Sequence, residues 1–300
     1  MYSEFHPSAN DRVPLAARMA DDCIAIRGGH VGDAGRELHG FFYIERVAWR
    51  AADCRPDGDD GGCICAQFLL QPTFYLRDDR CFMSHQVVAV FDLDGTITRG
   101  DTYLAFLFHV LLRRPQRVAQ FGTLALAVGK FKLGRLSRDK LKSCFLTAIV
   151  GGSRRGEVTR YVDSFLLRRL GRMIKPAAVA RIDWHRAQGH YLILASASVD
   201  LYVPRLGTLL RFDKTICTQT AWLNDRLTGV LDGMNLRGEA KLAALRKMLG
   251  NADPPPKVFA YSDHHIDLPL LQFADHAIAV DPNDKLRANA RANGIAVEYW

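Results

Sequence analysis

Asp92 and Asp94 follow directly on the short apolar run Val87–Phe91, and Gly-Thr comes next in the chain. A run of this length, rich in β-branched residues, indicates a buried strand, so both carboxylates are expected where a strand ends. One carboxylate in such a place can attack phosphorus and form an acyl phosphate that water later hydrolyses. A second carboxylate, two residues on, can protonate the leaving oxygen and then activate the water.

Two further apolar runs of the chain also lead straight into polar residues. Open α/β sheets bind their ligands at the carboxyl ends of the strands, so these side chains converge on one site if the strands are neighbours. The residues concerned are Ser196 after the run 191–195, Asp263 and Asp267 after the run 258–261, and Lys241 near the start of a predicted helix.

Four carboxylates at one site repel each other unless a divalent cation lies among them, and hard oxygen ligands select Mg²⁺. The four are Asp92, Asp94, Asp263 and Asp267. A phosphate dianion bound there also needs hydrogen-bond donors, which Thr96, Ser196, Lys241 and loop N–H groups can supply. The residues therefore predict Mg²⁺-assisted chemistry on a small-molecule phosphomonoester.

Apolar runs alternate with amphipathic segments from Val87 onward, which indicates βα units on a parallel sheet. The stretch from Thr102 to Lys175 is too long for a simple crossover, and it is expected to form a helical cap inserted after the first strand. The predicted strands are Val87–Phe91, Tyr191–Ala195, Val258–Tyr261 and His276–Val280, and the predicted helices are Lys175–Gln188, Asp200–Leu210, Glu239–Leu249 and Asp284–Asn293.

The order of these motifs resembles that of haloacid dehalogenase superfamily phosphatases, in the phosphoserine-phosphatase-like branch, from about Val87 to Tyr299. The resemblance implies an α/β fold with a Rossmann-like core, a parallel sheet and an inserted helical cap of the C1 type. The implied division is an extension at 1–82, the core at 83–101 and 176–300, and the cap at 102–175.

The same resemblance implies a role for each residue of the site. Asp92 becomes the nucleophile and Asp94 the general acid and base. Ser196 and Lys241 bind the phosphate, and Lys241 also holds the nucleophile. Mg²⁺ is held by Asp92, the carbonyl of Asp94 and Asp263, with Asp267 in the same acidic motif. Phosphoserine phosphatases usually have Ser-Gly-Gly and Gly-Asp-Gly where this chain has Ser196-Ala-Ser and Tyr-Ser-Asp263, which narrows the space around the phosphate.

The substrate is expected to be phosphoserine-like or histidinol phosphate. Asp101 matches an acidic residue that meets a substrate ammonium, or else it is a helix N-cap before Thr102. Lys142 lies roughly where a basic residue of the cap would meet a substrate carboxylate. The cap segment also resembles that of phosphatidylglycerophosphatase C, which implies a first alternative, a lipid phosphatase acting on phosphatidylglycerophosphate at a membrane surface. The second alternative is a phosphotransferase or mutase on the same core.

The cap segment contains two apolar stretches with basic edges, Tyr103–Leu112 and Phe121–Val128. Such stretches suit a surface that rests on anionic lipid, which would place the protein at the inner face of a membrane. The simpler interpretation is that the two apolar helices pack on each other inside the cap. The sequence leaves both open.

The first 82 residues show no clear helical or strand period, and the glycine- and aspartate-rich stretch 55–62 favours turns. We expect a poorly structured extension, or a start chosen too far upstream. The spacing of Cys54, Cys63, Cys65 and Cys81 matches neither common zinc pattern. With no secretory signal in the sequence and a net charge of +8, we expect a cytoplasmic protein with anionic substrates and no nucleic-acid partner.

Overall fold

The computed structural model of the chain describes residues 86–250 and 253–300. The predictions made for residues 1–82, including those for its cysteines, lie outside the described residues. The division into core and cap at residues 102 and 175 stays a prediction.

The described residues contain a seven-stranded sheet with the strand order β4-β3-β2-β1-β5-β6-β7. All neighbouring strands are parallel except β3 and β4, which form an antiparallel pair. The strands are β1 Val87–Phe91, β2 Tyr191–Val199, β3 Lys214–Leu223, β4 Arg226–Asp232, β5 Lys257–Ser262, β6 His276–Val280 and β7 Ala296–Glu298. The expected α/β fold is confirmed, and the three strands β2, β1 and β5, whose adjacency the predicted site requires, are neighbours.

Strand β1 lies in the middle of the sheet and is covered on both faces. Its side chains alternate between two apolar clusters, with Ala89 and Phe91 in one and Val88 and Val90 in the other. This alternation is the period of two that a strand imposes on its side chains, and burial on both faces is typical of parallel sheets. It explains why the run 87–91 is apolar at every position.

Helices cover the sheet and fill the long connection between β1 and β2. The helices are α1 Thr102–Leu111, α2 Phe121–Lys132, α3 Arg138–Ile149, α4 Arg155–Phe165, α5 Pro176–Ala187, α6 Val203–Leu209, α7 Glu239–Leu249, α8 Leu268–Phe273 and α9 Asp284–Asn293. Shorter helical turns lie at Leu93–Ile97, Pro115–Gln120, Leu166–Leu170, Gly171–Met173 and His265–Asp267. The connection expected to be helical is thus built from α1 to α4. No helix of the described residues is long and apolar enough to cross a bilayer.

The sequence prediction missed β3, β4 and β7. Strand β3 is rich in threonine and only partly buried, and β7 has three residues, so neither gives a clear apolar run. Strand β2 is four residues longer than predicted and ends at Val199, so Ser196 lies inside it. Helix α6 begins at Val203 instead of Asp200, with Pro204 in its first turn.

Candidate active site

Lys241 lies between two carboxylates at the centre of the site. Its Nζ is 2.7 Å from Oδ1 of Asp92 and 2.5 Å from Oδ2 of Asp267, and its side chain is 2% exposed. Asp92 directly follows β1, and its N–H donates to the carbonyl of Tyr261 in β5 at 2.9 Å. Oδ1 of Asp267 accepts from the N–H of Gly238 at 3.2 Å, and Oδ2 also accepts from Oγ of Ser262 at 3.0 Å.

The electrostatics of this group leave an excess of negative charge. Burial raises the pKa of Asp92 far above that of an ordinary carboxyl; Lys241 opposes this, whereas the carboxylates of Asp267 and Asp263 add to it. Burial alone would lower the pKa of Lys241, but Asp267 and Asp92 outweigh burial and raise it. Burial would likewise raise the pKa of Asp267, yet Lys241 holds it below its ordinary value. Lys241 is thus shared between Asp92 and Asp267, and together with Asp263 these carboxylates carry more negative charge than this lysine offsets.

Asp94 is held by hydroxyl groups on both of its oxygens. Oδ1 accepts from the backbone N–H and the hydroxyl of Thr102, both at 2.6 Å, and Oδ2 accepts from the hydroxyl of Ser198 at 2.7 Å. The hydroxyl of Thr102 in turn lies 2.8 Å from that of Tyr202. Burial raises the pKa of Asp94, and Asp101 adds to this, while the bonds from Ser198 and Thr102 oppose it. These hydrogen bonds fix the orientation of the Asp94 carboxyl group.

Two hydroxyl groups of the predicted phosphate site are completely buried. Ser196 accepts a hydrogen bond from the N–H of Ser198 at 3.0 Å through its Oγ. Thr96 is 0% exposed, and its Oγ1 has no hydrogen-bond partner in the structure. A buried hydroxyl without a partner is costly unless a ligand completes its hydrogen bonding. The orphaned Thr96 hydroxyl therefore fits a site that binds an oxygen-rich ligand.

Gly95 brings the loop after β1 into close contact with Asp263. Its φ of 81° lies in the left-handed region, and a Cβ at this position would overlap the carboxylate of Asp263. Only glycine allows both the backbone conformation and the close approach. Burial raises the pKa of Asp263 to about 6.

The structure brings Asp92, Asp94 and Asp263 around one loop but gathers no larger set of ligands. Within the described residues, no group of three or more His, Cys, Asp or Glu side chains is placed to hold a metal ion. Both oxygens of Asp94 and of Asp267 accept hydrogen bonds from the protein. The carboxylates of Asp92 and Asp263 and the backbone carbonyl of Asp94 are hard oxygen donors, the type of ligand that fits Mg²⁺. The ligand role of Asp267 stays a prediction.

Sequence reasoning missed the partners that hold these residues in place. Lys175 donates from Nζ to the carbonyl of Gly95 and to Oδ2 of Asp281, the latter at 2.7 Å, and is 5% exposed. Thr102 and Ser198 hold Asp94. Ser198 lies close to the predicted end of β2 and Thr102 at the predicted start of the cap, but the position of Lys175, just before Pro176, gives no local sign of its role.

The two residues predicted to meet the substrate lie at the edge of this site. Oδ1 of Asp101 accepts from the N–H of Leu104 at 2.9 Å, so its N-cap interpretation is confirmed, and its contact with a substrate ammonium stays a prediction. Lys142 donates from Nζ to the carbonyl of Ala197 at 2.5 Å and to Oδ1 of Asn235 at 3.0 Å. Burial lowers the pKa of Lys142 to about 8. Its ammonium therefore contacts the residue that follows Ser196 in β2.

Comparison with known sequences identifies a family and its relatives. Residues 89–272 match the family model of the haloacid dehalogenase-like hydrolases. Protein CicA of Caulobacter vibrioides is 32% identical over 198 residues, which cover 64% of this chain and 86% of CicA. A histidinol-phosphatase of Neisseria meningitidis is 24% identical over 223 residues, covering 70% of this chain and 97% of that protein.

Comparison with solved structures supports the same fold. A structure of phosphoserine phosphatase with bound substrate superposes with a TM-score of 0.50 at 16% identity, covering 71% of this chain and 93% of that one. At this identity the likeness concerns the fold alone. The match to the phosphoserine-phosphatase-like fold, expected from the motifs, is confirmed.

Proposed function

This chain belongs to the haloacid dehalogenase-like hydrolase family, and we propose that it is a Mg²⁺-dependent phosphatase that acts through a phosphoaspartate on Asp92. Membership of the family and the phosphatase names among its relatives make it a phosphatase. The observation that carries the proposed mechanism is the buried contact between Lys241 and Asp92, 2.7 Å long, with Asp94 held two residues away by Thr102 and Ser198.

The first step transfers the phosphoryl group to the enzyme. The phosphate binds to Lys241, Ser196 and the hydroxyl of Thr96, which together supply a charge and hydrogen-bond donors. Lys241 donates to Oδ1 of Asp92, so we assign the attack on phosphorus to Oδ2. The new bond joins this oxygen to phosphorus while the ester P–O bond breaks. Asp94 gives its proton to the leaving oxygen, which departs as an alcohol.

The second step releases phosphate. Asp94, now ionised, takes a proton from a water molecule as the water oxygen attacks the phosphorus. The bond between phosphorus and Asp92 breaks, which restores both the carboxylate of Asp92 and the protonated form of Asp94. The raised pKa of Asp94 suits this exchange, because the group must be protonated at the start of each cycle.

The carboxylates of Asp92 and Asp263 and the carbonyl of Asp94 would hold Mg²⁺, which when bound neutralises charge on the phosphate oxygens. The uncompensated charge of Asp92 and Asp263, together with the close approach of Gly95 to Asp263, supports this assignment. Both carboxylate oxygens of Asp267 already accept hydrogen bonds from the protein. We therefore assign Asp267 the role of holding Lys241 and not that of a metal ligand.

Removal of divalent cations should abolish turnover reversibly. Nitrophenyl phosphate hydrolysis in EDTA is expected to fall to background, and excess Mg²⁺ should restore it, because the uncompensated carboxylates repel a phosphate dianion. Circular dichroism before and after EDTA treatment controls for unfolding. Full activity of a folded, EDTA-treated protein would refute the metal assignment.

The charges around the site favour a substrate with a second anionic group. Arg237, which directly precedes Gly238, and Arg138, at the start of α3, act electrostatically on each other, and Arg237 also acts on Asp92 and Asp267. Lys142 lies on the same side, near Asp94. A carboxylate or second phosphate on the substrate would offset this cluster of cations, whereas the ammonium and imidazole of histidinol phosphate would add to it.

We therefore expect phosphoserine to be hydrolysed with a higher kcat/KM than histidinol phosphate, compared under identical conditions with Mg²⁺. Arg237→Gln should reduce kcat/KM for phosphoserine by roughly 10-fold, the value of one hydrogen bond to a charged group, and leave nitrophenyl phosphate little changed. Arg291→Gln on α9 is the matched control. A clear preference for histidinol phosphate that Arg237→Gln does not alter would refute this assignment.

A lipid phosphatase is the second candidate. The observation in its favour is that α1 exposes apolar side chains. The same helix begins at Thr102, which donates to Asp94, so these side chains belong to an element that reaches the site. A substrate such as phosphatidylglycerophosphate also carries a second anionic group. Adding this lipid to the same substrate comparison decides between the two candidates.

A further inference from the structure

Helix α1 exposes one apolar face to solvent although its opposite face is buried. Leu104, Phe108 and Leu112 are 55%, 56% and 58% exposed. They are spaced four residues apart, so they share one side of the helix. The opposite side, formed by Tyr103, Phe106, Leu107 and Val110, packs into the core. The two sides of this helix therefore meet different environments, although both are apolar.

The exposed apolar side chains continue through the turn before α2, through α2 itself and to the residue that follows it. Val118, Phe121, Leu126 and Leu133 are 48%, 50%, 59% and 71% exposed. Of the 13 large apolar side chains exposed in the described residues, seven lie between positions 104 and 133. Single exposed apolar residues are normal, but seven of them within 30 residues of the chain are more than scattered exposure accounts for. We name the seven residues the apolar cap face.

Positive charge accompanies the apolar cap face without any negative charge. No aspartate or glutamate occurs from Thr102 to Arg138. Arg113, Arg114 and Arg117 donate to groups of the protein, so part of the charge is structural. Lys130, Lys132 and Arg135 are exposed at the end of α2 and beyond it. These three cations are available to a partner on the same segment as Leu126 and Leu133.

From this combination we infer that the apolar cap face binds the surface of an anionic lipid bilayer. An apolar face inserts between headgroups while lysine and arginine side chains attract anionic lipid, and both contributions are needed for stable peripheral binding. Charge complementarity selects this occupant over an apolar protein surface, which would gain nothing from the exposed cations Lys130, Lys132 and Arg135. The binding itself does not depend on the proposed catalytic mechanism.

The test is sedimentation of the full-length protein with vesicles. Wild-type protein should bind phosphatidylcholine vesicles that contain phosphatidylglycerol, and bind vesicles of phosphatidylcholine alone at least about 10-fold more weakly. The triple variants Phe108→Gln/Leu112→Gln/Leu126→Gln and Lys130→Gln/Lys132→Gln/Arg135→Gln should each lose about 10-fold or more of the binding to anionic vesicles. High salt should weaken the binding of the wild-type protein to anionic vesicles more than that of Lys130→Gln/Lys132→Gln/Arg135→Gln.

A matched control carries equally exposed apolar residues outside the cap segment. Leu209→Gln/Leu223→Gln/Val230→Gln should bind anionic vesicles like the wild type. These side chains are 52%, 65% and 53% exposed, but they lie far along the chain from Lys130, Lys132 and Arg135. All variants should hydrolyse nitrophenyl phosphate at the wild-type rate, which separates loss of membrane binding from loss of the catalytic site. No wild-type binding, unchanged binding in either cap variant, or an equal loss in the control would overturn the inference.

Labelling of a new thiol tests whether another occupant covers the face. In Phe108→Cys, maleimide should react with position 108 without vesicles and be excluded when anionic vesicles are added, as read by peptide mass. Protection without vesicles would mean that a second copy or another part of this chain covers the apolar cap face, and it would overturn the inference. Light scattering then identifies a second copy.

Discussion

Replacement of Asp92 by asparagine should leave a folded protein whose turnover of nitrophenyl phosphate is at least about 10⁴-fold lower, as expected when a nucleophile is lost. The amide has nearly the shape of the carboxylate but cannot form the acyl phosphate. Because burial and the neighbouring carboxylates oppose ionisation of Asp92, the change removes an unfavourable charge. The melting temperature in EDTA should therefore be equal to or above that of the wild type.

The matched control for this variant is Asp213→Asn. Asp213 is half-buried, and its Oδ2 accepts from the N–H of Leu192, at the opposite end of β2 from Ser196. Its replacement should leave kcat unchanged. Substantial residual turnover by Asp92→Asn, after exclusion of deamidation by mass measurement, would assign the nucleophile elsewhere.

Replacement of Lys241 by methionine should reduce both stability and activity. The change leaves Asp92 and Asp267 buried without their shared cation, and breaking a buried ion pair from one side costs about 3–5 kcal/mol. Activity should fall as well, because Lys241 binds the phosphate and orients Asp92. Denaturant unfolding and steady-state kinetics measure the two effects separately.

A second substitution distinguishes the two roles of Lys241. In Lys241→Met/Asp267→Asn the side chain at position 267 is an uncharged amide, so it no longer needs the missing lysine. Part of the free energy of unfolding that Lys241→Met loses should therefore return in the double variant. Activity should not return, since no cation faces the phosphate. Lys247→Met, at an exposed position of the same helix α7, should change neither property. Wild-type stability in Lys241→Met would contradict the buried ion-pair geometry.

The apolar cap segment shows where sequence patterns stop being informative. Tyr103–Leu112 is apolar almost throughout, so its period does not tell which side is buried. We expected the two apolar helices to pack on each other, but the structure packs α1 on α3 and α4 and packs α2 on α3, and Leu104, Phe108 and Leu112 remain exposed. Which side is covered depends on where neighbouring helices lie, and this is decided by tertiary packing.

Local patterns in the amino-acid sequence are enough to predict the class of fold and the position of Asp92 and Asp94 at the end of β1. These features are local: a buried strand needs an apolar run, and the turn after it needs residues such as Gly95 that tolerate a left-handed backbone. The order of motifs then pointed to Ser196, Lys241 and Asp263. Strand β3, with its threonines and partial burial, lacked such a local signal.

The hydrogen-bond and ion-pair partners of these groups, by contrast, depend on the tertiary structure. Lys241 meets Asp92 across 149 residues, Ser198 meets Asp94 across 104, and Lys175 meets Gly95 across 80. Such pairs depend on strand order and register, which bring distant side chains within hydrogen-bond distance and which no short stretch encodes. The five residues 92–96 were enough to single out Asp92 as the candidate nucleophile. The contact between Asp267 and Lys241, in contrast, could be identified only from the folded chain.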